Sequence, residues 1–136
     1  MNMAIRKPKA GQGKNISVTS ETIESTNDKT PVFCLEHLQP QYCLSKCQKD
    51  EKAAFADALF KRSKLSWGQI IQADRHGLGC ETIKRDAIQA AIPSHLTEDV
   101  RFIALRFKNK APMVGYKEGR IFHILWIDRS FTLYKH

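Results

Sequence analysis

The chain has 136 residues, 42% of them hydrophobic and 26% charged, with a formal net charge of +8. This length suits one domain with a tail and excludes a TIM barrel or a full dinucleotide-binding fold. No apolar run reaches the roughly 18–20 residues of a membrane span. The N-terminus also lacks the apolar core of a secretory signal, so a soluble, cytoplasmic protein without membrane attachment is expected.

Residues 1–30 are polar, hold few large apolar side chains and read as a flexible tail; residues 31–136 read as a single α+β domain. Val32 to Leu38 is predicted as a first strand, ended by Pro40. Asp50 is placed to cap a helix over Glu51 to Arg62, where Phe55, Ala58, Leu59 and the stem of Arg62 share one face. Ser66 and Gln69 form a capping-box pattern that opens a second helix from Trp67 to Ala73. Arg75-His76-Gly77-Leu78-Gly79 is a glycine-bearing break, and Lys84 to Ala91 is predicted as a short third helix before Pro93.

The period then changes. Arg101 to Phe107 alternates as a strand, with Asn109 in the following turn. Met113 to Tyr116 is a short strand, and Gly119 suits a tight turn at positive φ. Arg120 to Asp128 is the strongest strand, apolar enough to lie inside a sheet covered on both faces. Phe131 to Tyr134 closes the chain as an extended piece. The order predicts a twisted antiparallel sheet with an N-terminal strand and two or three helices packed on it.

Charge is unevenly spread. Residues 31–100 carry nine Lys/Arg and nine Asp/Glu, whereas residues 101–136 carry eight against two, a net of +6. Basic residues interleaved with aromatics suit a polyanion, most often nucleic acid; the plain alternative is a solubilising surface.

Four cysteines are present. Without a signal, reduced thiols are expected. Cys34, His37, Cys43 and Cys47 offer soft or borderline ligands within fourteen residues. Their spacing matches no common zinc module, and buried or incidental thiols are the preferred reading. His123 reads as a structural, hydrogen-bonded histidine within its strand. Arg75 and His76, with Glu81 nearby, suit acid–base chemistry or phosphate contact, although a helix C-terminal cap explains them as well. No serine–histidine–acid pattern, phosphate-binding loop or H-E-x-x-H motif occurs.

In element order, and in Arg101-Phe-Ile-Ala-Leu-Arg106, Met113-Val-Gly-Tyr116, Ile121-Phe-His-Ile-Leu-Trp126 and Asp128-Arg-Ser-Phe-Thr-Leu-Tyr134, the chain resembles RelE/YoeB-type toxins of bacterial toxin–antitoxin systems. The resemblance implies an mRNA endoribonuclease that acts on RNA, often in the ribosome, and is inhibited by a cognate antitoxin protein. It uses the RNA 2′-hydroxyl and needs no metal or other cofactor. By position, Arg129, Tyr134 and His136 match catalytic residues. Arg101, Arg106, Lys108, Lys110, Tyr116 and Arg120 are the candidate RNA contacts. One departure stands out: Pro112-Met-Val114 replaces a basic residue common in the middle strand, so Arg120 or Lys110 would have to supply that contact. The alternative function is a non-catalytic nucleic-acid- or protein-binding module, which needs only a basic sheet surface with stacking aromatics.

Overall fold

Alternating apolar residues near the C-terminus build most of the sheet. The computed structural model describes residues 25–135. In chain order the elements are β1 (Val32–Cys34), α1 (Lys49–Arg62), α2 (Trp67–Gln72), β2 (Cys80–Ile83), β3 (Phe102–Lys108), β4 (Ala111–Glu118) and β5 (Ile121–Ile127). The strands form one sheet in the order β1-β5-β4-β3-β2. β2 to β5 are antiparallel neighbours, and β1 joins β5 in parallel, with Phe33 opposite Phe122. The fold is therefore α+β with a mixed sheet. The parallel pair arises because a long connection through both helices separates β1 from the meander. No helix among the described residues is long and apolar enough to cross a membrane.

The two helix starts differ. Ser66 Oγ accepts from the Gln69 N–H and Gln69 Oε1 from the Ser66 N–H, the reciprocal cap expected from the sequence. α1 begins before Asp50: Glu51, not Asp50, reaches back, its Oε1 accepting the Gln48 N–H at 2.7 Å. Phe55 and Ala58 then face the sheet and join Trp67, Ile70, Met113, Phe122 and Ile124 in one core. The opposite face buries Phe102, Ala104, Val114, Leu125, Trp126 and Leu133 beneath irregular chain that includes Ile88, Ile92 and Leu96. Each fully buried aliphatic or aromatic side chain here contributes about 1.5–3 kcal/mol.

β5 lies inside the sheet, as its apolar run requires, but it does not alternate regularly. The register with β4 shifts between Val114 and Gly115, so that Trp126 faces Val114 and Ile124 faces Gly115. Leu125 is the additional residue of this bulge. Beyond it Trp126 changes face and packs edge-on against Phe102, at 5.4 Å between ring centres. Simple alternation would have left it with Phe122 and Ile124. Gly115 makes the bulge possible: a Cβ there would lie 1.9 Å from the His123 carbonyl oxygen.

Other elements also differ from expectation. β1 stops at Cys34 because the chain turns, the Leu38 N–H donating to Leu35 O. The third helix is a single 3-10 turn, Arg85–Ala87; the Gln89 N–H goes instead to Leu133 O, so the C-terminal segment takes an amide that a helix would need. Cys80–Ile83 is an edge strand in a stretch for which the sequence predicts no element. Phe131 to Tyr134 is not a strand: Phe131 has φ +61°, and the Asp128 carboxylate accepts the Thr132 and Leu133 N–H groups. That side-chain turn folds Leu133 and Tyr134 back onto the sheet. Residues 25–30, assigned to the tail by sequence, hydrogen-bond to the domain, as in Trp67 N–H to Lys29 O.

Candidate functional site

The loop after α2 is built from within. Asp74 Oδ1 accepts the His76 N–H, and the Gly77 and Gly79 N–H groups donate to Asp74 O. Arg62 then grips the loop from below. Its Nε donates to Leu78 O (3.2 Å), its Nη2 to Gly77 O (3.1 Å) and its Nη1 to Ala58 O (3.4 Å). Arg62 is 0% exposed. Burial lowers its pKa to about 10, so it stays charged at neutral pH. The loop that this cation holds presents Arg75 and His76 at the surface.

β2 places Glu81 beside that loop. Glu81 lies opposite Ala104 in β3, and Arg106 follows two residues later on the same face. Arg106 Nη2 donates to Glu81 Oε1 at 2.8 Å, and Arg75 Nη1 lies 3.6 Å from Glu81 Oε2. Arg106 is largely buried. Tyr134, brought back by the Asp128 turn, sits against this guanidinium. Burial raises the phenol's pKa and outweighs the opposing pull of Arg106, so the hydroxyl keeps its proton well into the alkaline range.

Together Arg75, His76, Glu81, Arg106, Lys110, Tyr134 and Lys135 surround a cavity of about 290 Å³, with Phe131 at its edge. Four cations face one carboxylate there. Of the residues singled out by sequence, Arg106, Lys110 and Tyr134 meet in this cavity. Arg75, His76 and Glu81, for which the sequence favours a helix C-terminal cap, join them. Lys135 is a contributor that no motif marks.

The other candidates are placed elsewhere. Arg129 Nε donates to Glu51 Oε1 at 2.7 Å, tying the C-terminal segment to the start of α1, and it opens onto a different cavity. Arg120 is engaged with Thr30 through its carbonyl and hydroxyl oxygens. Lys108 Nζ lies 3.5 Å from Asp50. Arg101 and Tyr116 line a third cavity. Tyr116 stacks on His123 at 4.7 Å between centres, and His123 Nε2 lies 3.0 Å from Glu118 Oε1, which is a structural setting for that histidine. His136 lies outside the described residues.

Cys34, His37, Cys43 and Cys47 do not assemble a zinc site. Cys43 Sγ contacts Pro40 O and Ser45 Oγ, and His37 packs on His95 at 4.6 Å between centres. Among the described residues no group of three or more His, Cys, Asp or Glu side chains is arranged to hold a metal ion.

No protein-family model, curated protein or solved structure shows significant similarity to the chain.

Proposed function

We propose that the protein binds single-stranded RNA and cleaves it, with a backbone phosphate seated at Arg75, Arg106 and Lys110. The observation that carries this reading is the gathering of four cations, an imidazole and a buried phenol around one cavity, from segments far apart in sequence. Preorganised cations stabilise charge developing on a phosphoryl group, and no rearrangement is needed at the moment of reaction. His76 presents an exposed imidazole to the same cavity. It takes the proton of the 2′-hydroxyl; the 2′-oxygen bonds to phosphorus, and the bond to the 5′-oxygen breaks. The Lys110 ammonium supplies that oxygen with a proton. The products are a 2′,3′-cyclic phosphate and a 5′-hydroxyl. Tyr134, held protonated, donates a hydrogen bond to the phosphate.

The sequence resemblance adds a cognate antitoxin protein as partner and the ribosome as a setting for cleavage. The second reading, a non-catalytic binding module, draws on the Arg106–Glu81 pair, since a carboxylate already occupying the main cation is what a structural ion pair provides.

The test is incubation of the purified chain with labelled single-stranded RNA at low salt, in EDTA. Cleavage leaving cyclic phosphate ends is expected. Salt-sensitive binding without cleavage would favour the binding module, and no binding at any salt would overturn both.

A further inference from the structure

A second cavity, of about 520 Å³, adjoins the candidate site. His76 and Arg106 line both. They meet there because β2 begins at Cys80, opposite Leu105, and leaves β3 uncovered at Arg106. Tyr134, on one side of this junction, belongs to the loop-covered core; Ala58 and Phe107, on the other, belong to the helix-covered core. The second cavity has apolar walls at Ala54, Ala58 and Phe107, and the rest of its lining is largely charged or polar, with Lys61 and Arg62 among it. Asp57 projects from α1 with Lys61 at 3.0 Å, both side chains more than half exposed. Asn109 occupies the β3–β4 turn at φ +54° and is exposed.

A cleft with partly apolar walls, flanking cations, and a carboxylate and an amide on its lining has the chemistry of a nucleotide's base site. Bases splayed from a single strand are held by apolar and stacking walls and read along their hydrogen-bonding edges. A carboxylate accepts from an exocyclic amino group, and an asparagine amide pairs with an amino group beside a ring acceptor. A phosphate at the shared Arg106 and His76 would direct the adjoining nucleoside into this cleft.

Resting on the RNA reading above, we propose that the second cavity is the subsite for a base next to the bound phosphate, and that Asp57 and Asn109 select bases carrying an exocyclic amino group over uracil. The proposal gives the protein a sequence preference that the cation-rich cavity alone would not supply, since phosphate contacts position a chain without reading it.

The test uses three labelled 12-nucleotide homopolymers, oligo(A), oligo(C) and oligo(U), bound to the full chain at one low salt concentration in an equilibrium assay. The native protein is expected to bind oligo(A) and oligo(C) at least about fivefold tighter than oligo(U), the discrimination of one good edge contact. The Asp57→Ala, Asn109→Gly double variant should bind all three within about twofold, at the native affinity for oligo(U). Glycine accepts the left-handed conformation of residue 109, and Asp57 loses only an exposed pair, so folding is preserved. Binding without discrimination, or discrimination unchanged in the double variant, overturns the subsite and leaves the RNA reading standing. Failure to bind any of the three removes both.

Discussion

Two arginine–glutamate pairs have nearly the same geometry and opposite surroundings. Arg106 meets Glu81 at 2.8 Å, and Arg129 meets Glu51 at 2.7 Å. At the second pair the carboxylate also accepts the Gln48 N–H, and nearby Asp50 pairs with Lys108. Charge there is matched locally, and the pair serves as a clasp between the C-terminal segment and α1. At the first pair the carboxylate is shared with Arg75 while Lys110 and Lys135 stand around the same cavity, and buried Arg62 lies behind it. A cation's role follows from the charge balance of its neighbourhood in space, which the residues beside it in sequence do not reveal.

Substituting each arginine separates the two regions most sharply. Arg106→Gln should lower RNA cleavage by about 10²–10³, the usual cost of deleting a preorganised donor at developing charge. Its circular dichroism should stay native. Tyr134→Phe keeps the buried ring and removes the donor, so cleavage should fall by about tenfold, the lower range for a hydrogen bond to a charged group. Full activity in this variant would reduce Tyr134 to sheet packing. Arg129→Ala should cleave RNA at the native rate and melt at a slightly lower temperature in a thermal scan. A large loss of cleavage there would restore the role that the sequence suggests and erase the contrast.

The smallest effect is in acid. The hydrogen bond from Arg129, followed by that from the Gln48 N–H, holds the Glu51 carboxyl below its ordinary 4.5. The native state thus favours the ionised form. The resulting stabilisation is complete above about pH 4.5 and is lost as pH falls through the depressed native value. Denaturant unfolding of Glu51→Gln should therefore depend less on pH below 4.5 than that of the native chain. Parallel curves would contradict the clasp.

Local signals were legible wherever the interactions are local. The α1 apolar face, the Ser66–Gln69 cap, the positive φ of Gly119 and the buried position of β5 all follow from residues a few places apart. β2 is not legible in the sequence because it is four residues long with polar Glu81 and Thr82, and it exists only through pairing with β3. The face change at Leu125 depends on the missing side chain of Gly115 across the ladder. Arg106, Lys110 and Tyr134 were recognisable as candidates, but their convergence with Arg75 and His76 depends on Arg62 and Asp128 holding two loops in place. Arg129 misled because its partner lies 78 residues away.

The most direct test of the cation-rich cavity is the salt dependence of RNA binding. Log affinity for a single-stranded RNA would be measured against log salt concentration for the native chain, an Arg106→Gln, Lys110→Gln double variant and Arg129→Gln. Each phosphate contact to a single strand contributes about 0.7 to the slope. The double variant should lose about 1.4 of slope and Arg129→Gln none. Equal slopes in all three proteins, or a loss confined to Arg129→Gln, would contradict the assignment of RNA phosphate to the Arg106 cavity.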